Sequence, residues 1–210
     1  MDDERRRAIL ECAARLFGHY GPAKTTIADI AREAQIGVGT VYLVFESKEA
    51  IVEELSSTAH DRVLSAMRVV AEERAHETFS ERLAGVLESR VVTFQELGRG
   101  GQHACELLHC KSGKNSPVKS AHAKFREEEH ALLCSLFDDA RRAGELASID
   151  PKRAASLVQR ALATLTPPWL FEQPPDEARR AAHDLCRLLT LGLMARDDDA
   201  GRKNATKKRR

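Results

Sequence analysis

The chain has 210 residues, room for one small and one medium domain or for a single all-helical domain. Aromatic residues make up 5% and charged residues 31%; with abundant Ala, Leu, Glu and Arg this favours amphipathic helices, and Val, Ile and Thr form no alternating runs that would read as strands. Lys plus Arg (33) nearly equals Asp plus Glu (32), which argues against a general coat for nucleic acid but leaves room for a local basic surface on a site-specific binder.

No apolar run is long enough to span a bilayer, and the charged start is unlike a signal peptide. Cys12, Cys105, Cys110, Cys134 and Cys186 are an odd number and fall mostly in helical patterns. A reduced, cytoplasmic protein with no membrane partner is expected. No Gly-rich phosphate loop, nucleophile elbow or paired metal motif points to an enzyme or to a cofactor.

The first helix is expected from about Asp3 to Tyr20, with Ile9, Ala13, Leu16 and Phe17 on one stripe and Gly21-Pro22 as its stop. Thr25 or Thr26 caps a second helix, and Thr26 with Asp29 has capping-box spacing. Gln35 to Gly37 make a turn, and a short helix follows over about Val38–Phe45. Ser47 caps a long fourth helix whose apolar side is Ile51, Leu55, Thr58, Ala59, Val63, Met67 and Val70. Thr78 with Glu81 opens a fifth helix to about Leu97, and Gly98, Gly100 and Gly101 break it. A helix near Gln102–Cys110 ends in the loop KSGKNSP; Val118 to Ala143 is helical with Gly144 at C′. Asp150-Pro151 opens a helix that should bend or stop at Pro167-Pro168, and Pro174-Pro175 precedes a last helix to about Arg196. That is about nine helices and no sheet.

The expected division is a helix-turn-helix domain over 1–50, a larger helical domain over 51–196 and a charged, disordered tail over 197–210. The boundary falls inside the fourth helix, so one rigid element belongs to both parts.

The second and third helices, joined by a brief turn, have the arrangement that lays a helix in the major groove of DNA. At about 3.6 residues per turn Val41 and Phe45 share one face, toward Ile27, Ile30 and Phe17. Gly39, Thr40 and Leu43 point the other way, with Val38, Tyr42 and Val44 on the flanks. Gly39 permits close backbone approach, Thr40 offers a hydroxyl, and Leu43, Val38 and Val44 suit thymine methyl groups. Tyr42 and Lys48 suit phosphate oxygens, and Thr25 or Thr26 adds a further phosphate candidate. The plainer alternatives are that the threonines are caps alone and Tyr42 a core-edge side chain. Arg5–Arg7, just upstream, are candidates for neighbouring phosphates or the minor groove, and Lys207–Arg210 for nonspecific affinity.

Ala13, Leu16, Phe17, Gly21, Thr25, Ile30, Ala31, Ala34, Gly39, Thr40, Tyr42, Phe45, Ser47, Lys48 and Glu49 together resemble the N-terminal domain of TetR-type (TetR/AcrR) bacterial transcriptional regulators, over roughly residues 6–55. Gln35 stands where that family usually has Gly, and Gly37 where it often has Ser. At 43 and 44 the family often has an aromatic or His, so Leu43 and Val44 imply a more apolar readout. The resemblance implies a homodimer on a palindromic double-stranded operator, most often a repressor, released by a small-molecule effector bound in the C-terminal domain.

For the dimer interface the candidates are Val158, Ala161, Leu162 and Leu165 in the penultimate helix and Leu185, Leu188, Leu189 and Gly192 in the last, with an intramolecular core as the alternative. For the effector, Phe94, Phe125, Leu132, Leu136, Phe137, Trp169 and Phe171 are candidate lining for an apolar or aromatic molecule, or ordinary core. His103, Cys105, His109 and Cys110 crowd one short helix, and Cys105 with His109, at i and i+4, allow a metal- or redox-responsive alternative. A helical adaptor that does not touch DNA is the remaining one.

Overall fold

The computed structural model describes residues 2–109, 116–146 and 149–193. Cys110, most of the KSGKNSP loop, the end of the last helix and the tail with Lys207–Arg210 lie outside the described residues. The helices run α1 Asp2–Tyr20, α2 Ile27–Glu33, α3 Val38–Val44, α4 Lys48–Glu73, α5 Phe79–Gly98, α6 Cys105–Leu108, α7 Val118–Arg142, α8 Pro151–Ala161 and α9 Pro175–Leu193. Short 3-10 turns occupy Leu162–Leu165 and Trp169–Glu172, and no strand occurs among the described residues. The fold is all-α, a three-helix N-terminal unit followed by a larger helical one.

Local chemistry sets the ends of these helices. Thr26 and Thr78 each close a capping box, accepting from Asp29 N and Glu81 N while those carboxylates accept from the cap backbone. The hydrogen bonds from Thr26 hold the Asp29 carboxyl below its usual range, and those from Thr78 do the same for Glu81. Ser47 accepts from Ala50 N, and Asp150 accepts from Arg153 N with Pro151 in the first turn. α8 stops at Ala161, well before the two prolines. Thr166, forced toward extended backbone ahead of Pro167, sits at φ −123° and ψ 144°, and only a 3-10 turn bridges the gap. α6 is shorter than expected, a single turn.

Two apolar cores result. In the first, Ile9, Ala13, Phe17, Ile27, Ile30, Ala31, Val41, Phe45, Ile51 and Val52 pack together with Val118 from the start of α7. In the second, α4, α5, α7, α8 and α9 pack around Val63, Met67, Leu83, Val91, Phe125, Phe137 and Val158. α4 passes from one to the other: Leu55 leans on the first core and Ala59 on the second.

The buried side of α4 differs from its apolar pattern. Ser56 and His60 are fully enclosed beside Val52, Val63 and Met67, while Thr58 is exposed. One ring nitrogen of His60 is met locally, its Nδ1 lying 2.8 Å from the Ser56 carbonyl. The second core also holds an ion pair. Arg90 Nε donates to Glu129 Oε1 at 2.5 Å, and both side chains are almost wholly buried. Arg90 also donates to Leu165 O and Thr166 Oγ1, and Gln159 donates to the other Glu129 oxygen. Each nitrogen of Arg90 and each carboxylate oxygen of Glu129 therefore has a partner, as burial of charge requires.

Candidate nucleic-acid interface

The third helix is held by one side and offers the other. Val41 and Phe45 are enclosed in the first core, each apolar side chain contributing about 1.5–3 kcal/mol when fully buried. Phe45 also carries the Arg6 guanidinium over its ring at 4.6 Å, and Arg6 is paired with Glu54, tying α1 to α4 across the base of α3. On the outer side Leu43 is 87% exposed, Tyr42 54% and Val38 42%. Gly39 is exposed, and a Cβ built on it would meet nothing within 4 Å. Thr40 and Val44 are half-buried on the flanks. Leu43, one residue from the end of this seven-residue helix, joins Val38 and Tyr42 in an exposed apolar patch, and such a patch marks a contact surface.

The turn before α3 is strained where the sequence departs from glycine. Gln35 has φ 54°, the left-handed region, and the corner is closed by Ile36 N donating to Ala31 O at 2.9 Å. Gly37 is the N-cap of α3 and supplies no side-chain cap.

The candidate phosphate ligands are partly committed inside the protein. Lys48 Nζ donates to Pro22 O at 2.7 Å and Thr25 O at 3.0 Å, which clamps the α1–α2 loop to the start of α4 and leaves one N–H of the ammonium. Thr25 is buried and its hydroxyl donates to Gly21 O at 2.9 Å, so it cannot donate to a phosphate in this arrangement. Thr26 is exposed, but its hydroxyl donates to Asp29 Oδ2 at 2.6 Å within the capping box. Among the three N-terminal arginines, Arg6 serves Phe45 and Glu54 and Arg7 lies 3.7 Å from Glu11. Arg5 is exposed and flanks a hollow of about 360 Å³ with Thr40, Leu43 and Val44, beside the reading face. Its place was legible only as part of a basic run.

The other candidate residues are more scattered. Of the dimer candidates, Val158, Leu162 and Leu165 are sealed inside the second core, which corrects their assignment to an intersubunit surface. A 3.6-residue apolar stripe fixes that a face is buried, not against which chain. Leu185 and Leu189 are half-buried, Ala161 is exposed and Leu188 is 71% exposed; the burial of Gly192 lies outside the described residues. Leu157 and Leu191, not singled out, are exposed as well.

Of the pocket candidates, Phe94, Phe125, Leu136 and Phe137 are closed core, and Leu132 and Phe171 are half-buried against it. Trp169 is 51% exposed, its ring 5.9 Å from that of His109. The Phe94 and Phe125 rings enclose His60, whose Nε2 is buried without a hydrogen-bond partner. His122 stands beside it, ring centroids 5.8 Å apart. Burial, then the neighbouring His60, push His122 down to about 4. Cys105 and His109 are half-buried at the two ends of the α6 turn. Among the described residues no three His, Cys, Asp or Glu side chains are grouped to hold a metal. No described helix is long and apolar enough to cross a membrane.

Residues 9–55 match the family model for bacterial regulatory proteins, tetR family. The chain is 26% identical over 207 residues to the uncharacterised HTH-type transcriptional regulator YhgD of Bacillus subtilis, an alignment covering 93% of this chain and all of that one. It is 37% identical over 84 residues to the HTH-type transcriptional repressor KstR2 of Mycobacterium tuberculosis, covering 40% of this chain and 41% of the repressor. The fold is similar to the crystal structure of a TetR-family transcriptional regulator from Mesorhizobium loti, with a TM-score of 0.77, 19% identity, and 93% and 99% of the two chains covered. Residues 9–55 thus carry the DNA-binding helix-turn-helix of the tetR family of bacterial regulatory proteins, and over 93% of its length the chain is similar to an HTH-type transcriptional regulator.

Proposed function

We propose that the protein is a homodimeric repressor that binds a palindromic operator and leaves it when a small-molecule effector binds the larger domain. The observation that carries the DNA half is the α3 face: Val38, Gly39, Tyr42 and Leu43 exposed around a helix whose opposite side is locked by Val41 and Phe45. Leu43 and Val38 read thymine methyl groups, Thr40 a base edge, and Gly39 lets the backbone close on the duplex. Tyr42, Arg5 and the remaining N–H of Lys48 hold phosphates and set register. Thr26 supports this face as a cap, and Thr25 by fixing the loop beneath it.

A dimer places two such helices about 34–36 Å apart, one turn of DNA. The surface for it is the outer side of α8 and α9, where Leu157, Ala161, Leu188 and Leu191 are exposed. In α8 Leu157 and Ala161 are offset from buried Val158, and in α9 Leu188 and Leu191 from buried Ala182 and Cys186, which leaves each helix apolar on two sides, one for its own core and one for a partner. An effector that prefers a wider separation of the reading helices weakens DNA binding, and DNA weakens effector binding by the same factor.

The test is selection of bound sequences from a random duplex pool, followed by affinity against salt. A palindromic consensus bound by two chains, with affinity falling steeply as salt rises, is the expected result. Sequence-independent binding, or a single chain per site at micromolar concentration, overturns the reading.

A further inference from the structure

A cleft of about 440 Å³ lies between the DNA-binding unit and the larger domain, away from the recognition helix. Ala14 and Gly18 of α1 form one wall; Leu55 and Ala59 of α4 and Leu97 and Leu108 of the α5–α6 corner form the rest. We propose that this cleft binds an amphipathic organic anion, an apolar body bearing one carboxylate or sulfonate, and that its occupancy sets the angle of the DNA-binding unit. The effect on DNA rests on the operator reading above; the binding itself does not.

Three observations support this. The first is that the lining is drawn from both cores, Leu55 packing with the first and Ala59, Leu97 and Leu108 with the second. A molecule seated there touches both units at once.

The second is charge. Among the described lining residues the charged side chains are two guanidinium groups, Arg15 and Arg62. Arg15 is paired with Glu33 at 3.2 Å and Arg62 with Glu96 at 2.9 Å, both on the open rim. Exposed pairs of this kind contribute little, so either cation can turn to a ligand anion at small cost. Apolar walls with a few cations at the mouth suit an apolar body with one negative end.

The third is mechanical. At one edge of the cleft α1 touches the α5–α6 corner backbone to backbone, His103 N donating to Gly18 O at 3.0 Å. A Cβ on Gly18 would run into the carbonyl of Gly100, and one on Gly101 into the carbonyl of Gly18. Gly18 and Gly100 themselves line the cleft. α1 is thus pinned at this edge, and the cleft widens only if α1 swings about the pin, carrying α2 and α3 with it.

The probe is 1-anilinonaphthalene-8-sulfonate, titrated into the full chain and followed by its fluorescence. One bound probe per chain is expected. Ala59→Trp, which fills the cleft, and Thr58→Trp, which fills it from an exposed position, should each weaken binding at least about tenfold, with melting curves confirming that both fold. Arg62→Gln should weaken the probe about fivefold but leave the uncharged N-phenyl-1-naphthylamine unaffected. Saturating probe should lower operator affinity in the unaltered protein and not in Thr58→Trp. Binding that is absent, or equal in both Trp variants and the unaltered chain, overturns the site. Binding with unchanged operator affinity overturns the coupling and leaves the operator reading intact, because operator affinity is measured without the probe. A folded protein that binds the probe but no DNA defeats the operator reading and leaves the site standing.

Discussion

The two units of this protein place their polar groups differently. The DNA-binding unit keeps them at the ends of helices, in the Thr26–Asp29 box, the Ser47 cap and the Lys48 clamp on Pro22 and Thr25. The larger domain caps helices too, at Thr78 and Asp150, but also puts polar groups at its centre, with Arg90, Glu129 and His60 enclosed beside phenylalanines. Polar groups at helix ends act one at a time, and the loss of one leaves the others in place. A central ion pair depends on every partner at once. The first unit is therefore a small rigid body shaped by local interactions, and the second has an interior that reports disturbance.

The largest expected effect breaks the centre. Glu129→Ala leaves Arg90 buried and unpaired, and should lower unfolding free energy by about 3–5 kcal/mol in urea titration. A loss no larger than that of an exposed pair such as Arg68–Glu128 would mean that the centre is wet or adjustable. Next comes Lys48→Ala. It removes two charge-assisted hydrogen bonds to carbonyls, and should cost about 2 kcal/mol without any DNA present. A lysine that served only phosphate would leave the melting temperature alone.

Gln35→Gly relieves the left-handed residue in the turn and should stabilise the protein by about 1 kcal/mol, with operator preference unchanged. The last effect is one of pH, read as a slope and not as a loss at neutral pH. His122 titrates at about 4 in the folded protein, against about 6.5 when unfolded. Between these values the unfolded chain binds the extra proton, so His122 contributes stability above about 6.5 that is lost as pH falls toward 4. His122→Gln should flatten the fall in melting temperature across that window; an unchanged slope would assign the fall to other groups.

The same contrast explains what could be read from residues alone. The DNA-binding unit was legible nearly to the side chain, because its signals are local. A cap, a left-handed turn and a 3.6-residue period place Val41 inside and Leu43 outside without reference to the rest of the chain. Thr25 and Lys48 were the exceptions, since their partners are backbone carbonyls of a loop whose path the sequence does not specify. In the larger domain, apolar periodicity passed over Ser56 and His60, which are polar yet buried, and favoured Thr58, which is exposed. It could not tell Val158, facing its own core, from Leu157, facing out. Trp169 follows a double-proline break as expected but packs against His109 at the surface.

The central claim is that the outer face of α3 exists for DNA and contributes nothing to the fold. Leu43→Ala tests it most directly, by measuring unfolding free energy and operator preference on one protein preparation. Because Leu43 is 87% exposed, stability should change by no more than about 0.5 kcal/mol. Preference at one operator position should shift by about 1–3 kcal/mol, most at a thymine. A stability loss with unchanged base preference would contradict the account.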